Sequence, residues 1–567
     1  MRLVAVVVAL VLQAVGGVAA QAPTASCEGK RVDSILVVAS APTVTGANRI
    51  PVVRMIASRF HVTTRDDVVS RFLLLKVGDV CTDLRRAESE RILRAQNFLA
   101  EAMVAVRPSP NGGVVLDVQT TDEVSVVLGA TVAAKSQPLR AFRFGNSNIE
   151  GTTTYVSASW RDGEGYRDGF GGRVQHQQLF GRLYSMDLEG ERNPLGERWF
   201  AETSHPFYTD LQRVASRLRV GSSIAYVAFP TDSQLDRAVR IDRRFFDVGG
   251  LVRVGPPGRL TVFGASLTGD EDAPATTPVI IGPTGLSVDS DATLLNRYVG
   301  HQIARANILW GIRDIRFASR TGLDALSATQ DVPIGFQLGT MFGRSLEILG
   351  SRDDDIFVAA DLYVGLSGNK STFRLQVQGE GRRSNGNGAW DGILTSGRAA
   401  QYVKTSERNV LVASLDWSGG WKQRSPFNLG FGDPVAGVRG FSNSRLIGAR
   451  RFVGRAESRW VVSPETSLGD LGLAAFADMG RLFPGDVPFG SRSALATSVG
   501  FSILAAAPRH SARLWRMDFA FAVHGKTGGL FELRVSAADN TKFFFREPAD
   551  VERTRELTVP SSVFKWL

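Results

Sequence analysis

From about residue 125 to 545 the chain repeats one local pattern: segments of roughly eight to twelve residues in which apolar and polar side chains alternate. Successive side chains of a strand point to opposite faces, so strict alternation marks a strand with one buried or lipid-facing side. Between 152 and 160, Thr154, Val156, Ala158 and Trp160 share one face and Tyr155, Ser157 and Ser159 the other. Comparable segments lie at 356–366, 373–377, 410–417, 474–476, 517–523 and 531–535, separated by Gly, Asp, Asn and Pro. Roughly fourteen to eighteen such segments can be traced, enough for a large β-barrel. Two soluble β-domains would alternate in the same way. Charged residues within the strands, such as Arg374, Glu457 and Arg534, fit a polar lumen better than a packed sandwich core.

Residues 28–123 carry a different texture and read as a small α+β unit. A strand is predicted over 32–38. Thr63 and Thr64, with Asp66 and Asp67 behind them, predict a capped helix to about residue 74, ended by Val77-Gly78-Asp79. Thr82 predicts a second cap, and Leu84, Ala87, Ile92 and Ala95 give that helix one apolar face. Val104 and Val106 alternate within 102–107, Pro110-Asn111-Gly112-Gly113 is a turn, and Val114, Leu116 and Val118 alternate after it. The predicted order is β-α-α-β-β.

The first twenty residues change the picture. Arg2, an apolar run over 3–12 and Val18-Ala19-Ala20 before Gln21 make the pattern of a cleaved secretory signal. An apolar run broken at Gln13 and Gly16-Gly17 is too short for a helical anchor, and no later segment approaches eighteen apolar residues. Export without a spanning helix leaves a soluble protein or a transmembrane barrel, and the strand count favours the barrel. In an oxidising compartment Cys27 and Cys81, the two cysteines, predict one disulfide, because a metal usually takes three or four ligands. The net charge of +10 rests on 57 Arg and 9 Lys without a basic block, and no nucleic-acid partner is expected.

The order and size of the first unit, with Gly78-Asp79 and then Glu88-Ser89-Glu90-Arg91-Ile92-Leu93-Arg94 before Phe98, resemble a polypeptide-transport-associated (POTRA) domain. The stretch Gly432-Asp433-Pro434-Val435-Ala436-Gly437-Val438-Arg439-Gly440-Phe441 is followed by Arg455-Ala456-Glu457-Ser458-Arg459. Phe476-Ala477-Asp478-Met479-Gly480 comes next. In this order they resemble the BamA/TamA-like outer-membrane superfamily, which includes two-partner-secretion transporters. Ser204-His205-Pro206-Phe207-Tyr208 is similar to a corner that recurs in those barrels.

The resemblance implies a mainly β protein: a signal peptide at 1–20, a periplasmic POTRA-like unit at 28–123, an outer-membrane antiparallel barrel of about 16 strands at 125–547, and a tail at 548–567. It implies that Val438, Arg439, Gly440 and Phe441 form a lumenal loop, with Arg439 reaching Asp478 and Glu457 on a wall that also carries Phe476 and Gly480. A guanidinium in a confined lumen requires such carboxylates. Members of the family commonly end on the closing strand, whereas this chain continues past it, and Phe543-Phe544-Phe545 is the candidate for the aromatic end of the barrel.

Enzyme signatures are lacking. No G-x-S-x-G, H-E-x-x-H or G-x-x-x-x-G-K-[ST] occurs, and the six His are scattered. The stretch 163–172 reads as a hairpin loop; Asp270-Glu271-Asp272 and Asp353-Asp354-Asp355 read as solvated loops, with a cation site as the alternative. No enzyme activity, cofactor or metal is expected. The expected function is insertion or secretion of client polypeptides, in contact with outer-membrane lipid and through a POTRA-fed barrel. The alternative is a passive channel or structural barrel.

Overall fold

The computed structural model describes residues 26–42, 62–132, 139–163, 165–231, 236–463, 469–525, 530–538 and 544–555. The predicted signal segment and Phe543 lie outside them. Strands from Val126–Val132 to Phe531–Ala538 close into one antiparallel barrel, the last meeting the first. A short hairpin, Val279–Ile281 with Leu286–Val288, extends the rim away from the N-terminal unit. Closure pairs backbone groups that a free sheet edge would leave open, the condition for a sheet in lipid. Outward positions expose large apolar side chains, among them Leu128, Phe142, Phe170, Trp199, Leu218 and Phe246. Inward positions bury charge: Arg217, Asp247, Arg305 and Asp361 are each under 9% exposed. This is the lipid-out, polar-in order of a membrane barrel. No helix among the described residues is long and apolar enough to cross a membrane.

The barrel has about 20 strands rather than the expected 16 or so. The difference lies in the strands between 126 and 205, which are short: Val126–Val132, Thr154–Arg161 and Gly169–His176 have 7, 8 and 8 residues, against 21 in His301–Thr321. Gly172 and Gly190 pair across two neighbours on the face that carries Phe170 and Leu188, and there they interrupt the apolar row. Backbone pairing needs no side chain, so Gly169–His176 and Ser185–Asn193 form where alternation is faint, whereas Thr154–Arg161 keeps it. The closing strand ends at Ala538, short of the expected 545.

The N-terminal unit contains β1 (Val32–Ser40), α1 (Asp66–Ser70), α2 (Asp83–Arg94), β2 (Leu99–Pro108) and β3 (Val114–Asp122). The sheet order is β1-β3-β2, with β1 parallel and β2 antiparallel to β3. Phe72, Ile92, Leu93, Phe98, Val104 and Val118 form its core. Cys27 and Cys81 are bonded, with Cα atoms 5.6 Å apart, inside a second cluster with Val32, Leu75 and Val114. Thr82 caps α2, accepting from the Arg85 N–H. Thr64 does not cap α1. Its hydroxyl and N–H donate to Asp122 at 2.8 and 2.7 Å, and α1 ends at Ser70 because Phe72 turns into the core.

Burial pushes the Asp122 carboxyl up to about 6, against the two bonds from Thr64, which pull it down. A raised carboxyl favours the folded state while it is protonated, so its contribution is complete below about pH 4 and lost as the pH rises through 6. Hydrogen exchange at the Thr64 amide is therefore expected to report a local opening free energy that falls between pH 4 and 6.5, and Asp122→Asn to flatten that slope. An unchanged slope in the Asn variant would refute the assignment.

The unit is held against the barrel by α2 and the turn at 206–212. Arg94 donates twice to Asp331, both at 2.8 Å, and Arg91 Nη2 donates to the Tyr208 carbonyl at 2.5 Å while lying 4.3 Å from the Phe317 ring centre. Glu88 accepts from the Thr209 hydroxyl at 2.6 Å. Within the turn, adjacent aromatics point opposite ways. Tyr208 joins the core of the N-terminal unit beside Phe72, and Phe207 enters the barrel under the Arg253 guanidinium, 3.8 Å from its ring centre. Asp210 bridges Arg253 and Arg313 behind it.

Candidate functional site

The connection between Asn409–Trp421 and Arg450–Val461 folds into the lumen. Asp433 shapes its tip by accepting from the Val435 and Ala436 N–H groups, both at 2.8 Å, which fixes a turn and leaves Gly437 so close to the Phe431 and Asp433 carbonyls that a Cβ would collide with backbone. Gly440 has φ +86°, a conformation costly for any residue with a Cβ. Val438 and Phe441 are 0% and 1% exposed, and Phe441 meets Phe431 edge-on at 5.9 Å, so the apolar half of the loop forms its own core with Phe427, Leu482 and Ala496.

Arg439 points from this loop to the wall. Its Nε and Nη2 donate to the two Asp478 oxygens at 2.7 and 2.6 Å, the bidentate geometry that suits a planar fork. Its Nη1 donates to Glu457 at 3.0 Å, and Asp518 lies 3.7 Å away. The guanidinium rests 3.5 Å from the Phe476 ring centre, so the aromatic face supplies the remaining side of the site. Gly480 leaves room for the loop: a Cβ there would meet Val438 at 2.5 Å. All eight residues singled out along 438–441 and on the wall thus meet at one place.

The sequence reading missed a further ring. Arg516 donates to both Glu457 oxygens at 2.9 and 2.7 Å and to Asp518 at 2.5 Å, and Arg459 donates to Glu457 at 2.5 Å. Arg455 pairs with Asp416 and donates to the Val435 and Gly437 carbonyls of the loop at 2.9 and 2.6 Å. Glu532, on the closing strand, accepts from the Gly440 N–H at 2.7 Å and the Ser442 N–H at 3.2 Å. The signal was present as charge at period two, Arg455-x-Glu457-x-Arg459, Arg516-x-Asp518 and Glu532-x-Arg534, which puts each set on one strand face. Chemically the site holds a loop rigidly inside a barrel and bonds it to the strand at the seam. Among the described residues no cluster of His, Cys, Asp and Glu suits a metal ion.

No family model and no curated protein matches the chain. Among solved structures it is similar to CdiB from Escherichia coli, at 11% identity over 90% of this chain and 75% of that one, with a TM-score of 0.42. BamA from Haemophilus ducreyi lacking POTRA domains 1–3 gives 12% identity, 90% and 83% coverage and a TM-score of 0.35. CdiB from Acinetobacter baumannii gives 10%, 90% and 73%, and 0.38. The likeness runs along most of the chain.

Proposed function

We propose that this protein is an outer-membrane barrel that inserts or translocates other polypeptides, without enzymatic activity, and that its N-terminal unit is a periplasmic POTRA-like domain. The observation that carries the reading is the bond from the lumenal loop to Glu532 on the closing strand. A loop tied at once to the wall through Arg439 and to the seam through Gly440 couples the bore to the place where the barrel can part. A parted seam offers a free strand edge to a client, and the N-terminal sheet offers its own in the order β1-β3-β2, where among the described residues β2 has one side free of ladder partners and β1 has one beyond Val32, which bonds Gly78 and Asp79. Clients are unfolded outer-membrane or secreted polypeptides, and lipid contacts the outer band.

The rival, a passive channel, requires an open bore, and this bore is crossed by the Arg439 loop. Quantitative proteomics of outer-membrane and secreted fractions after depletion tests the reading. Loss of many barrels is expected of an insertase and loss of one exported protein of a dedicated transporter, with Arg439→Ala failing to restore either. An unchanged protein set after depletion would overturn the proposal in favour of the channel.

A further inference from the structure

Beyond the closing strand the chain turns back into the barrel. Residues 544–555 lie in the lumen, with one helical turn, α3 (Ala549–Glu552), and they contact walls about half the circumference apart in strand order. On one side Arg243, in Asp236–Val254, donates to the carbonyls of Arg553 and Arg555 at 3.1 and 3.3 Å. On the other, Arg451, in Arg450–Val461, holds Asp550 bidentately at 2.6 and 3.0 Å, with Arg451 only 1% exposed. Between them Arg555 donates to Glu380 at 2.7 Å, to Ser396 at 3.1 Å and to Glu547 within its own segment at 2.8 Å.

The apolar contacts are equally specific. Phe544 stands edge-on to Tyr363 at 6.4 Å under the Arg374 guanidinium, 4.2 Å from the ring centre. Val551, fully buried, packs into the core of the Arg439 loop, and Asp433 of that loop accepts from the Ala549 N–H at 2.9 Å. Every one of these contacts is a side-chain bond, an ion pair or a packing contact. Among the described residues the segment adds no strand to the wall, so nothing in its attachment requires it to be continuous with the barrel.

We propose that the lumen contains a binding site for a short peptide carrying an aromatic residue, then an acidic and a basic residue, and that this chain's own residues 544–555 fill it and obstruct the bore. The site is built from side chains of five strands and the Arg439 loop: Arg374 receives the aromatic ring, Arg451 the carboxylate and Glu380 the guanidinium. A peptide of that chemistry supplied separately would be held by the same groups. The inference needs only the barrel: a barrel that binds its tail while clients assemble normally in the depleted cell would sink the transport reading and leave this one standing.

The test uses a chain lacking 544–567, its folding checked by heat-modifiable gel mobility, and a fluorescein-labelled synthetic peptide of residues 544–567. Saturable binding to the shortened barrel is expected. Binding to the intact barrel is expected to be weaker by about tenfold or more, because a tethered tail competes at an effective concentration near millimolar. Asp550→Arg in the peptide should abolish binding, and Arg451→Asp in the barrel should restore it for that peptide. Equal binding to both barrels, no saturable binding, or indifference to the charge exchange would overturn the proposal.

Should the shortened chain fail to fold, the intact chain is used with Arg555→Cys as a maleimide probe. Labelling is expected to rise with Asp550→Arg or Arg451→Asp alone and to fall back when the two are combined. Equal labelling in all three would overturn it too.

Discussion

Asp478→Ala is expected to lower the stability of the folded barrel by about 3–5 kcal/mol, the usual cost of leaving a buried charge without its partner. Asp478 is 0% exposed and accepts from Arg439 at the backbone N–H, at Nε and at Nη2. Its removal leaves the buried Arg439 with Glu457 as its remaining close acceptor, and Glu457 is already engaged by Arg459 and Arg516. Taking the wall carboxylate away also loosens the loop, which then keeps its bonds to Glu532 at Gly440 and Ser442 but loses its bidentate anchor on the wall. The urea midpoint of the heat-modifiable mobility shift measures the loss, and limited proteolysis near 432–446 measures the release of the loop. A midpoint equal to that of the wild type would show that the pair does not anchor the loop.

Cys27→Ser is expected to destabilise the N-terminal unit by about 2–5 kcal/mol while the barrel stays folded. The bond joins residues 54 apart in sequence and its sulfurs lie in a fully buried cluster, so both the chain entropy of the unfolded unit and the packing around Val32 and Leu75 depend on it. The cluster shares no residue with the lumenal cores, and this separates the two effects. Protease should then cleave between 26 and 122 in the variant, or in reduced wild type, and leave a barrel that still shows the mobility shift. Resistance equal to that of the oxidised wild type would refute the expectation.

Much of the lumenal site was legible in the chain because it consists of local chemistry repeated on neighbouring strands. Arg439 could be read against Asp478 and Glu457 from a resemblance in three short motifs, and Glu457 also stood out as a charge within a strand. The ring around them was harder to see. Arg516 and Glu532 carry no motif, only charge at every second position, and that pattern acquires meaning once the barrel closes and brings Leu514–His524 and Phe531–Ala538 round to the loop.

The strand count failed for a related reason. Alternation reports side chains, and in two of the short strands before residue 205, Gly169–His176 and Ser185–Asn193, Gly172 and Gly190 occupy the outward face, so there the backbone pairs where the pattern is silent. Thr64 shows local logic overruled: a hydroxyl placed to cap α1 instead donates to Asp122, 58 residues away, because that carboxyl is buried and needs donors. Phe207 and Tyr208 could be recognised as a corner, but nothing in the dipeptide says that one ring enters the barrel and the next the N-terminal unit.

By itself, then, the sequence determined an alternating β protein, a small β-α-α-β-β unit before it and a loop whose arginine requires carboxylates. The first two follow from periodicity and turn chemistry, which act over a few residues, and the loop from the resemblance in three short motifs. The tertiary structure alone decided how many strands complete the circle, which way the aromatics of the turn face and where the chain goes after its last strand. Arg451 and Asp550 are 99 residues apart, and Arg243 meets the carbonyl of a residue 310 positions away. Such partners are chosen by a closed surface, on which a charge as buried as that of Arg451 must find its counter-charge across the lumen, and no window of sequence contains that surface.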